Sequence, residues 1–551
     1  MKNSIIMICK GIKLDKNYQN VLTYTEQQMY TLCYQNRVAM DNKVSFIKGE
    51  ENAVIVDFTY EDCMKCNYMA FQNPRYSNKW FFAFIDTVDY VSDKSSRINF
   101  TIDLFATWFD YWTAKDCFVL REHTNDDTPY TNLIDEGLGT GEYVVNSSFE
   151  LDIFDENSFV PILGVSEVVV PDGSSYTLGK PLLHSTQGNI FSGVTYIMPT
   201  GNQDVYLNVN HIVRAYDRAD GSGAIQYIFM CPSEILLAST YTYGDVGDNE
   251  YHYAIVDNNS SYNVDFGGYN KPTTIDTYTP VNKKLLQYPY CYLAVDPHSG
   301  GLYTFNYEDF TKTKYAFSID AILTPGCSVK ITPVDYKMTG ANYSYSMTGV
   351  KFPICSWSSD VYTNWLTQNG VNLGFTTLNK AEATAVGGVG SILLGTLLMA
   401  TGVGGIAGAG LIGTGVTGIF SAMQSDYKAR LVPDQIKGNE NSGDVNFSIG
   451  LVNPICYNMS IKKEMARSID DYFTRYGYKT NRVKLPNQTG RTYFNYVQIG
   501  TGEIIGYPNN KGCPSEAMEE INKMYRAGVT LWHDHSRIGN YSGNTIVQSN
   551  T

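Results

Sequence analysis

The chain has 551 residues, which is more than a single hydrophobic core usually serves, so roughly two to four domains or subdomains are expected. Aromatic residues make up 13% of the chain and charged residues only 17%, which excludes an intrinsically disordered protein and favours β-sheet. The net charge of −14 and the pI near 5.0 argue against a protein that grips the phosphates of nucleic acid, since such a protein needs a basic surface.

The N-terminal segment does not resemble an export signal. Residues 5–9 form a short apolar run that ends at Lys10, whereas a secretory signal needs roughly 7–15 apolar residues. We therefore expect a protein that is made and folds in a cytoplasm without export. The eleven cysteines are odd in number and irregularly spaced, a pattern that favours free buried thiols.

One helix is predicted in the first part of the chain, and apolar strands follow it. Thr59 is the expected N-cap, and Cys63, Cys66 and Met69 follow at three-residue spacing on one face. The two cysteines have no second pair at zinc-ligand spacing, so a core face is favoured over a metal site or a redox couple. Residues 121–143 are predicted to form a loop rich in turn residues.

Residues 144–378 are predicted to be mainly short strands. Turn residues recur about every ten residues, the spacing of an all-β sandwich or barrel and not of a βαβ protein. Two helices are predicted nearer the C-terminus, where apolar residues recur on one helical face. Their apolar faces are Met465, Ile469, Tyr472 and Phe473, ended by Gly477, and Met518, Ile521, Met524 and Tyr525, ended by Gly528.

Few side chains suggest chemistry. His533 and His535 stand two apart and could bind a metal with a nearby acid, but an exposed strand edge is the favoured interpretation. Arg121, Glu122 and His123 could be an acid–base set, but a polar loop whose charges pair across a subunit boundary is favoured. The sequence has no phosphate-binding loop, dinucleotide fingerprint or zincin motif. We predict a protein that is not an enzyme, with no cofactor and no metal.

The most unusual stretch is residues 383–425. These 43 residues contain no Asp, Glu, Lys, Arg, His or Pro, and twelve of them are Gly. A bilayer core about 30 Å thick takes about 20 helical residues to cross, so the block is long enough for one long crossing or for a hairpin of two.

Small and large residues have separate predicted roles in this apolar block. Small residues four apart let helices approach closely. The glycines expected to give flexibility and close packing are Gly387, Gly395, Gly404, Gly408 and Gly418. The side chains expected to insert into lipid are Ile392, Leu393, Leu397, Leu398, Met399, Ile406, Leu411, Ile412, Ile419 and Phe420.

Three interpretations of the apolar block compete. An ordinary transmembrane anchor fits poorly, because no basic cluster flanks the block and no export signal precedes it. A buried core hairpin is disfavoured by the glycines, each of which costs roughly 0.5–1 kcal/mol in a helix relative to Ala. A loop that is stowed and later enters a membrane fits best. Before it enters the membrane, the apolar block must be shielded from water, and an oligomer in which the blocks of several copies point inward could shield it.

Several stretches, in their order along the chain, resemble one known family. KLDKNYQNVLTYTEQQMY (residues 13–30) is similar to the opening of that family, and residues 66–127, from CNYMAFQNPRYSNKWFFAFI to FVLREHTNDD, resemble its most distinctive part. YGYKTNRVKL, YFNYV and GVTLWH resemble its close. The family is that of the tail knob, or distal tail tube, proteins of small short-tailed bacteriophages.

The resemblance implies a mainly β fold with a few helices, in which barrel or sandwich domains form a tube and carry a long apolar inserted loop. The implied domains are a tube wall from residues 1–143 and 431–551, a β-rich distal domain from residues 144–378, and a hydrophobic loop from residues 379–430. Six copies would form a tube at the distal end of the virion tail. Its partners would be other tail proteins, host membrane lipids, and genome DNA that passes through the lumen without specific binding.

Two other functions stay open. A receptor-binding or cell-wall-associated tail component suits a Tyr-rich β protein, although no compact domain carries a hydrolase pattern. A pore-forming toxin uses hidden apolar hairpins, but normally arrives with an export signal.

Overall fold

The computed structural model describes most of the chain outside residues 357–452. The described residues are 4–44, 52–74, 77–154, 159–172, 175–178, 185–186, 190–191, 195–200, 205–219, 224–233, 241–245, 252–256, 262–321, 328–351, 354–356, 453–506 and 512–547. Strands dominate them and helices are few, which confirms the predicted fold class.

The strands follow one another along the whole described chain. They are β1 (Ser4–Cys9), β2 (Asn20–Leu22), β3 (Arg37–Val44), β4 (Ala53–Val56), β5 (Tyr68–Gln72), β6 (Trp80–Ser92), β7 (Ser95–Ile102), β8 (Cys117–Glu122), β9 (Tyr143–Glu150), β10 (Phe159–Val165), β11 (Val169–Asp172), β12 (Ser175–Leu178), β13 (Ser185–Thr186), β14 (Ile190–Phe191), β15 (Thr195–Thr200), β16 (Ile225–Pro232), β17 (Tyr241–Asp245), β18 (His252–Val256), β19 (Tyr262–Asn270), β20 (Cys291–Asp296), β21 (Tyr303–Phe305), β22 (Lys314–Ala321), β23 (Ser328–Val334), β24 (Met347–Lys351), β25 (Ile354–Ser356), β26 (Ile455–Ile461), β27 (Tyr478–Lys484), β28 (Phe494–Ile499) and β29 (Val529–Trp532). The α-helices are α1 (Glu26–Gln35), α2 (Tyr60–Met64), α3 (Leu104–Trp108), α4 (Val205–Arg218), α5 (Lys463–Tyr476) and α6 (Ser515–Ala527).

The chain divides into two compact units. Unit 1 comprises Met1–Tyr143, Thr274–Tyr290 and Ile461–Thr551, and unit 2 comprises Val144–Thr273 and Cys291–Ser460. Residues 274–290 therefore group with unit 1 and not with the middle region 144–378. The four-domain division drawn from the sequence stays a prediction.

The central strands of the first sheet of unit 1 are buried on both faces. Its six antiparallel strands have the order β3-β1-β5-β6-β7-β4. In β1, Ile6 and Ile8 join one core cluster, whereas Met7 and Cys9 join another. Successive side chains of a strand point to opposite faces, so a strand between two cores needs a continuous apolar run. This requirement explains runs such as WFFAFI in β6.

The second sheet of unit 1 brings the two ends of the chain together. Its order is β2-β29-β28-β8-β27, and Asn20 of β2 lies opposite Thr530 of β29 in parallel pairing. Phe105 of α3 and Tyr525 of α6 share a core cluster with Val497 of this sheet. Residues that are far apart in sequence therefore fold as one core.

Helix α2 begins as predicted but ends early. The Thr59 side chain accepts a hydrogen bond from the Asp62 backbone N–H at 3.3 Å, which confirms the predicted N-cap. The helix stops at Met64, so Cys66 lies beyond it and Met69 lies in β5. The predicted helical face is wrong, because a short apolar run does not distinguish a helix from a buried strand.

Helices α5 and α6 confirm the predicted C-terminal pair. Both end at a glycine with positive φ: Gly477 at 65° and Gly528 at 94°. A Cβ on Gly477 would lie 2.1 Å from the backbone oxygen of Glu122. Glycine is therefore required at this helix end by conformation and by space.

The described residues of unit 2 form three larger sheets and two short hairpins. The sheet orders are β17-β18-β15-β10-β16-β25, β19-β22-β23-β24 and β21-β20-β26-β9, and the hairpins are β11-β12 and β13-β14. Helix α4, which the sequence analysis did not predict, places Ile212 and Tyr216 beside Ile197 of β15. The short strands of this region confirm the all-β pattern that the sequence predicted around α4.

Aromatic side chains form much of the core of unit 2. Phe305, Phe310, Tyr315, Phe317 and Tyr336 are all buried and lie against one another. The ring centroids of Phe310 and Tyr336 are 4.9 Å apart in an edge-to-face arrangement, which aromatic pairs prefer. The high tyrosine content thus serves packing as well as surface.

Candidate functional site

The apolar block lies outside the described residues. It contains the predicted membrane-insertion residues, from Ile392 to Phe420, and the five glycines predicted to pack with them. Their role stays a prediction. Among the residues that are described, no helix is long and apolar enough to cross a membrane.

His123 is buried and held as a neutral ring. Its Nδ1 accepts a hydrogen bond from the Tyr496 backbone N–H at 2.7 Å, and its Nε2–H donates to the Thr474 backbone oxygen at 3.0 Å. Burial, with the positive charge of Arg491 as a smaller cause, lowers the pKa of His123 to about 3. Both ring nitrogens are occupied, so the side chain ties β8 to α5 and β28.

The neighbours of His123 in sequence have separate partners. Arg121 and Glu122 lie in β8, where Arg121 pairs with Glu136 and Glu122 pairs with Lys484. The prediction of a polar loop whose charges pair across a subunit boundary is therefore wrong. The sequence of Arg121, Glu122 and His123 did not reveal that their partners lie in the same unit. The partner of Glu122, Lys484, is 362 residues away in the chain.

His533 and His535 follow β29 and do not form an exposed strand edge. His533 is partly buried, with Nδ1 2.8 Å from the Thr23 hydroxyl and Nε2 3.0 Å from Asn495 Oδ1. His535 Nε2 accepts a hydrogen bond from the Lys13 backbone N–H at 3.1 Å. Within the described ranges, no three His, Cys, Asp or Glu side chains are placed to hold a metal ion.

The cysteine pair lies in the core, as predicted. Cys63 and Cys66 belong to the core cluster that also contains Met69. Burial raises the pKa of the Cys66 thiol to about 12, so the reactive thiolate is suppressed. Eight cysteines of the described part of the chain are free and buried, which confirms the prediction for those residues; they are Cys9, Cys33, Cys63, Cys66, Cys117, Cys291, Cys456 and Cys513.

Unit 1 contains a buried ionic clamp made of Arg121, Glu136 and Lys284. The carboxylate of Glu136 pairs with both cations, and its side chain is 0% exposed. It also accepts a hydrogen bond from the Lys479 backbone N–H at 2.9 Å, while Arg121 donates to the Gly477 backbone oxygen at 2.8 Å. The clamp therefore joins three separate chain segments of unit 1.

A second buried network reinforces the clamp. Asp470, on the inner side of α5, accepts hydrogen bonds from the Val281 and Asn282 backbone N–H groups at 2.8 and 2.9 Å. It also accepts one from the Tyr278 hydroxyl at 2.6 Å. Segment 274–290 is thus fastened to α5 along its backbone. These hydrogen bonds hold chain segments in place, and the carboxylate of Asp470 is engaged by groups of the same unit.

The sequence analysis missed all the acidic and amide residues of these two networks. Asp470 did carry a usable signal, since it lies within the apolar stripe Ala466, Ile469 and Phe473 of α5, and a charge in such a stripe needs a buried partner. Glu136 carried no such signal, because it lies in a loop without periodicity.

Two family models match the chain. The C-terminal domain of the tail knob protein gp9 of Bacillus phage phi29 matches residues 254–545, and the N-terminus of the caudoviral major tail protein matches residues 2–113. The tail knob protein gp9 of Bacillus phage phi29 is 26% identical, over 98% of this chain and 97% of its own length. That of Bacillus phage B103 is 23% identical, over 98% of both chains.

A solved structure shares the fold. The tail knob protein gp12 of bacteriophage C1 superposes with a TM-score of 0.67 at 14% identity, covering 99% of this chain and 100% of that chain.

A mainly β chain that is held by internal polar networks and matched over nearly its whole length by phage tail proteins is a structural protein of the virion tail. The phi29 gp9 model alone covers more than half of its residues. The chain belongs to the family of the phage tail knob protein gp9, at the distal end of the tail. The resemblance noted in the sequence is confirmed.

Proposed function

We propose that six copies of this chain form a tube at the distal end of a phage tail, and that the genome leaves through its lumen. The observation that carries the proposal is the uncharged, proline-free block of 43 residues in a tail knob chain whose net charge is −14. A lone subunit would expose this block to water, whereas a ring of copies encloses it.

In this proposal residues 383–425 close the tube before ejection and enter the host membrane on contact. Leu397 and Leu411 are among the large side chains that meet lipid. Gly404 and Gly408 let the segment bend and pack closely. The absence of charged residues allows the block to enter lipid without burying a charge, which supports insertion as its role.

The acidic balance supports passage of DNA without binding. A tube whose subunits each carry a net charge of −14 repels phosphate, so the duplex slides instead of adhering. Other tail proteins are the remaining partners, because a tail knob must attach to the rest of the tail.

The tube has no catalytic role in this proposal. The polar atoms of His123, His533 and Glu136 are engaged in hydrogen bonds inside unit 1, and Cys63 is buried in a core. Substitution of these residues should change the stability of the protein and should not abolish an enzymatic activity.

Electron microscopy of the purified protein tests the tube. Rings or short tubes with six-fold symmetry and a lumen wide enough for a DNA duplex are expected. A monomer in virions, or a solid three-fold fibre, contradicts the proposal.

Leu397→Asp tests membrane entry. A charge at mid-bilayer costs on the order of 2.5–3.5 kcal/mol on insertion scales, and this cost recurs in every copy. We expect normal tubes that fail to release dye from liposomes, as for a variant without residues 383–425. Leu397→Phe is the matched control and should release dye. If Leu397→Asp prevents folding, the block is part of a core and the membrane proposal is wrong.

A further inference from the structure

Two cysteine side chains of unit 1 meet in the core between β1 and α1. The Cys9 thiol donates a hydrogen bond to the Cys33 backbone oxygen at 3.3 Å, and the two thiols lie within hydrogen-bonding reach of each other. Both side chains are 0% exposed and belong to the same core cluster. The contact joins the last residue of β1 to the last turn of α1, 24 residues further along the chain.

The backbone also brings these two positions together. The Lys10 backbone N–H, next to Cys9, donates to the backbone oxygen of Asn36, directly after the end of α1, at 3.1 Å. Cys9 lies opposite Arg37 in the pairing of β1 with β3, the strand that follows α1. A disulfide needs Cα atoms about 4.4–6.8 Å apart and side chains that point at each other. Adjacent backbones and thiols in contact are the arrangement that this geometry requires.

The nearest other cysteines are directed elsewhere. Cys63 and Cys66 belong to the core cluster of Ile6 and Ile8, on the face of β1 opposite to that of Cys9. The Cys66 thiol donates to the backbone oxygen of Asp62, in its own chain segment, at 3.2 Å. Cys33 is therefore the thiol that the Cys9 side chain faces.

Helix α1 is fastened mainly at its N-terminal end. Glu26 pairs with Lys79 at 3.3 Å and accepts a hydrogen bond from the Trp80 backbone N–H at 3.0 Å. The buried residues of the helix are Met29 and Cys33. A helix of this length is marginal in water by itself, so its C-terminal end depends on how the Cys33 side chain is held.

We propose that Cys9 and Cys33 form a disulfide after the virion has left the host cell, and that this bond fixes the C-terminal end of α1 on β1. The cytoplasm keeps thiols reduced, whereas disulfides form and persist outside the cell, and a virion tail protein passes from one environment to the other. The disulfide does not depend on the proposed tube, since it needs only a chain that the virion carries outside.

The reaction is a thiol–disulfide exchange with a low-molecular-weight disulfide. One cysteine attacks the reagent as a thiolate and releases one thiol, and the second cysteine attacks the mixed disulfide and releases the other thiol. An Sγ–Sγ bond thus replaces two S–H bonds of the protein, and the reagent takes up both electrons and both protons. Contact with the Cys9 thiol, followed by burial, raises the pKa of the Cys33 thiol well above its ordinary value. The thiolate is therefore scarce, and the exchange is slow.

The alternative is a pair of ordinary core thiols. Free Cys is among the most buried residue types and packs as a small apolar side chain, so two of them can touch without any chemistry. Such a pair stays reduced in any medium. The oxidation state of the native protein separates the two interpretations.

Mass spectrometry of the full-length protein tests the bond without any substitution. Protein purified with a reductant is incubated with oxidised glutathione, alkylated and digested. We expect a peptide pair that is joined through Cys9 and Cys33 and is lighter by two hydrogen atoms than the two reduced peptides. Because both thiols are buried, the link should form slowly in buffer and faster in low urea, which opens α1 locally. Virions from the medium should carry the link, whereas newly made protein from acid-quenched cells should not.

Cys33→Ser measures the consequence of the bond. Oxidation of the native protein should raise the thermal midpoint of unit 1 by roughly 5 °C or more, since the bond restricts the unfolded chain. The link and this rise should both be absent in Cys33→Ser. Cys117→Ser is the matched control, because Cys117 is buried in a different core cluster of unit 1, and this variant should keep both.

Two outcomes overturn the disulfide. One is that Cys9 and Cys33 are unlinked in virions from the medium, and the other is that oxidised glutathione links only other cysteines of the folded protein. Either outcome leaves the proposed function standing. A protein that forms no ring or tube contradicts the proposed function and leaves the disulfide unaffected.

Discussion

Replacing Glu136 with Gln tests the ionic clamp of unit 1. The substitution keeps the shape of the side chain but removes the charge that Arg121 and Lys284 share. The side chains of Glu136 and Lys284 are 0% and 1% exposed, so solvent cannot screen the cations that are left behind. Removing one partner of such a buried pair typically costs about 3–5 kcal/mol, and we expect a loss of that size in the unfolding free energy of unit 1.

Tryptophan fluorescence during urea unfolding is a suitable assay, because Trp80, Trp108, Trp112 and Trp532 all lie in unit 1. Hydrogen exchange adds a local readout: the Lys479 amide, which donates to Glu136, should lose protection, while peptides of unit 2 keep theirs.

Glu142→Gln is the matched control, because Glu142 pairs with Lys462 at the surface and its side chain is 78% exposed. Exposed ion pairs contribute little to stability, so this variant should unfold with the native protein. If Glu136→Gln changes the unfolding curve no more than Glu142→Gln does, the clamp is hydrated and the argument from burial is wrong.

Two further predictions concern unit 1. Gly477→Ala should lower the unfolding midpoint, because its Cβ would lie 2.1 Å from the Glu122 oxygen at a φ of +65°, whereas Gly139→Ala has no heavy atom within 4 Å and should not. Asp103→Asn should flatten the pH dependence of stability. Burial raises the pKa of Asp103 from 3.8 in the unfolded chain to about 6 in the folded protein, so between these two pH values the folded state holds a proton that the unfolded chain has lost. The stability of the native protein therefore falls as the pH rises through that window. Thermal midpoints at pH 4 and pH 7.5 measure this, and an unchanged slope in Asp103→Asn would contradict it.

Parts of the fold were predictable because local signals agreed with tertiary packing. Helix α5 was predicted because its apolar stripe, its length and its terminal Gly477 all indicate the same element. Helix α2 was extended too far, since the apolar residues after Met64 belong to a strand buried on both faces, where periodicity carries no information. Helix α4 was missed because its valines and tyrosines have the composition of the surrounding strands.

The polar networks were not predictable in the same way. A buried ion pair is specified by what lies opposite it, and the partners of Arg121 are a loop carboxylate and the backbone oxygen of Gly477, 356 residues away. Asp470, a charge on an apolar helical face, carried a sequence signal for a buried partner, but this signal was not recognised. The apolar block was the reverse case: its composition alone suggested a function, without any structure.

The path of the chain has a consequence for how the protein is synthesised. The second sheet of unit 1 pairs β2 with β29 and places β8 between β27 and β28, so it cannot form until the ribosome has passed residue 532. A prematurely terminated chain that ends within unit 2 has β8 without partners and lacks β27 entirely. Incomplete translation products therefore cannot form this sheet or the core that it shares with α3 and α6.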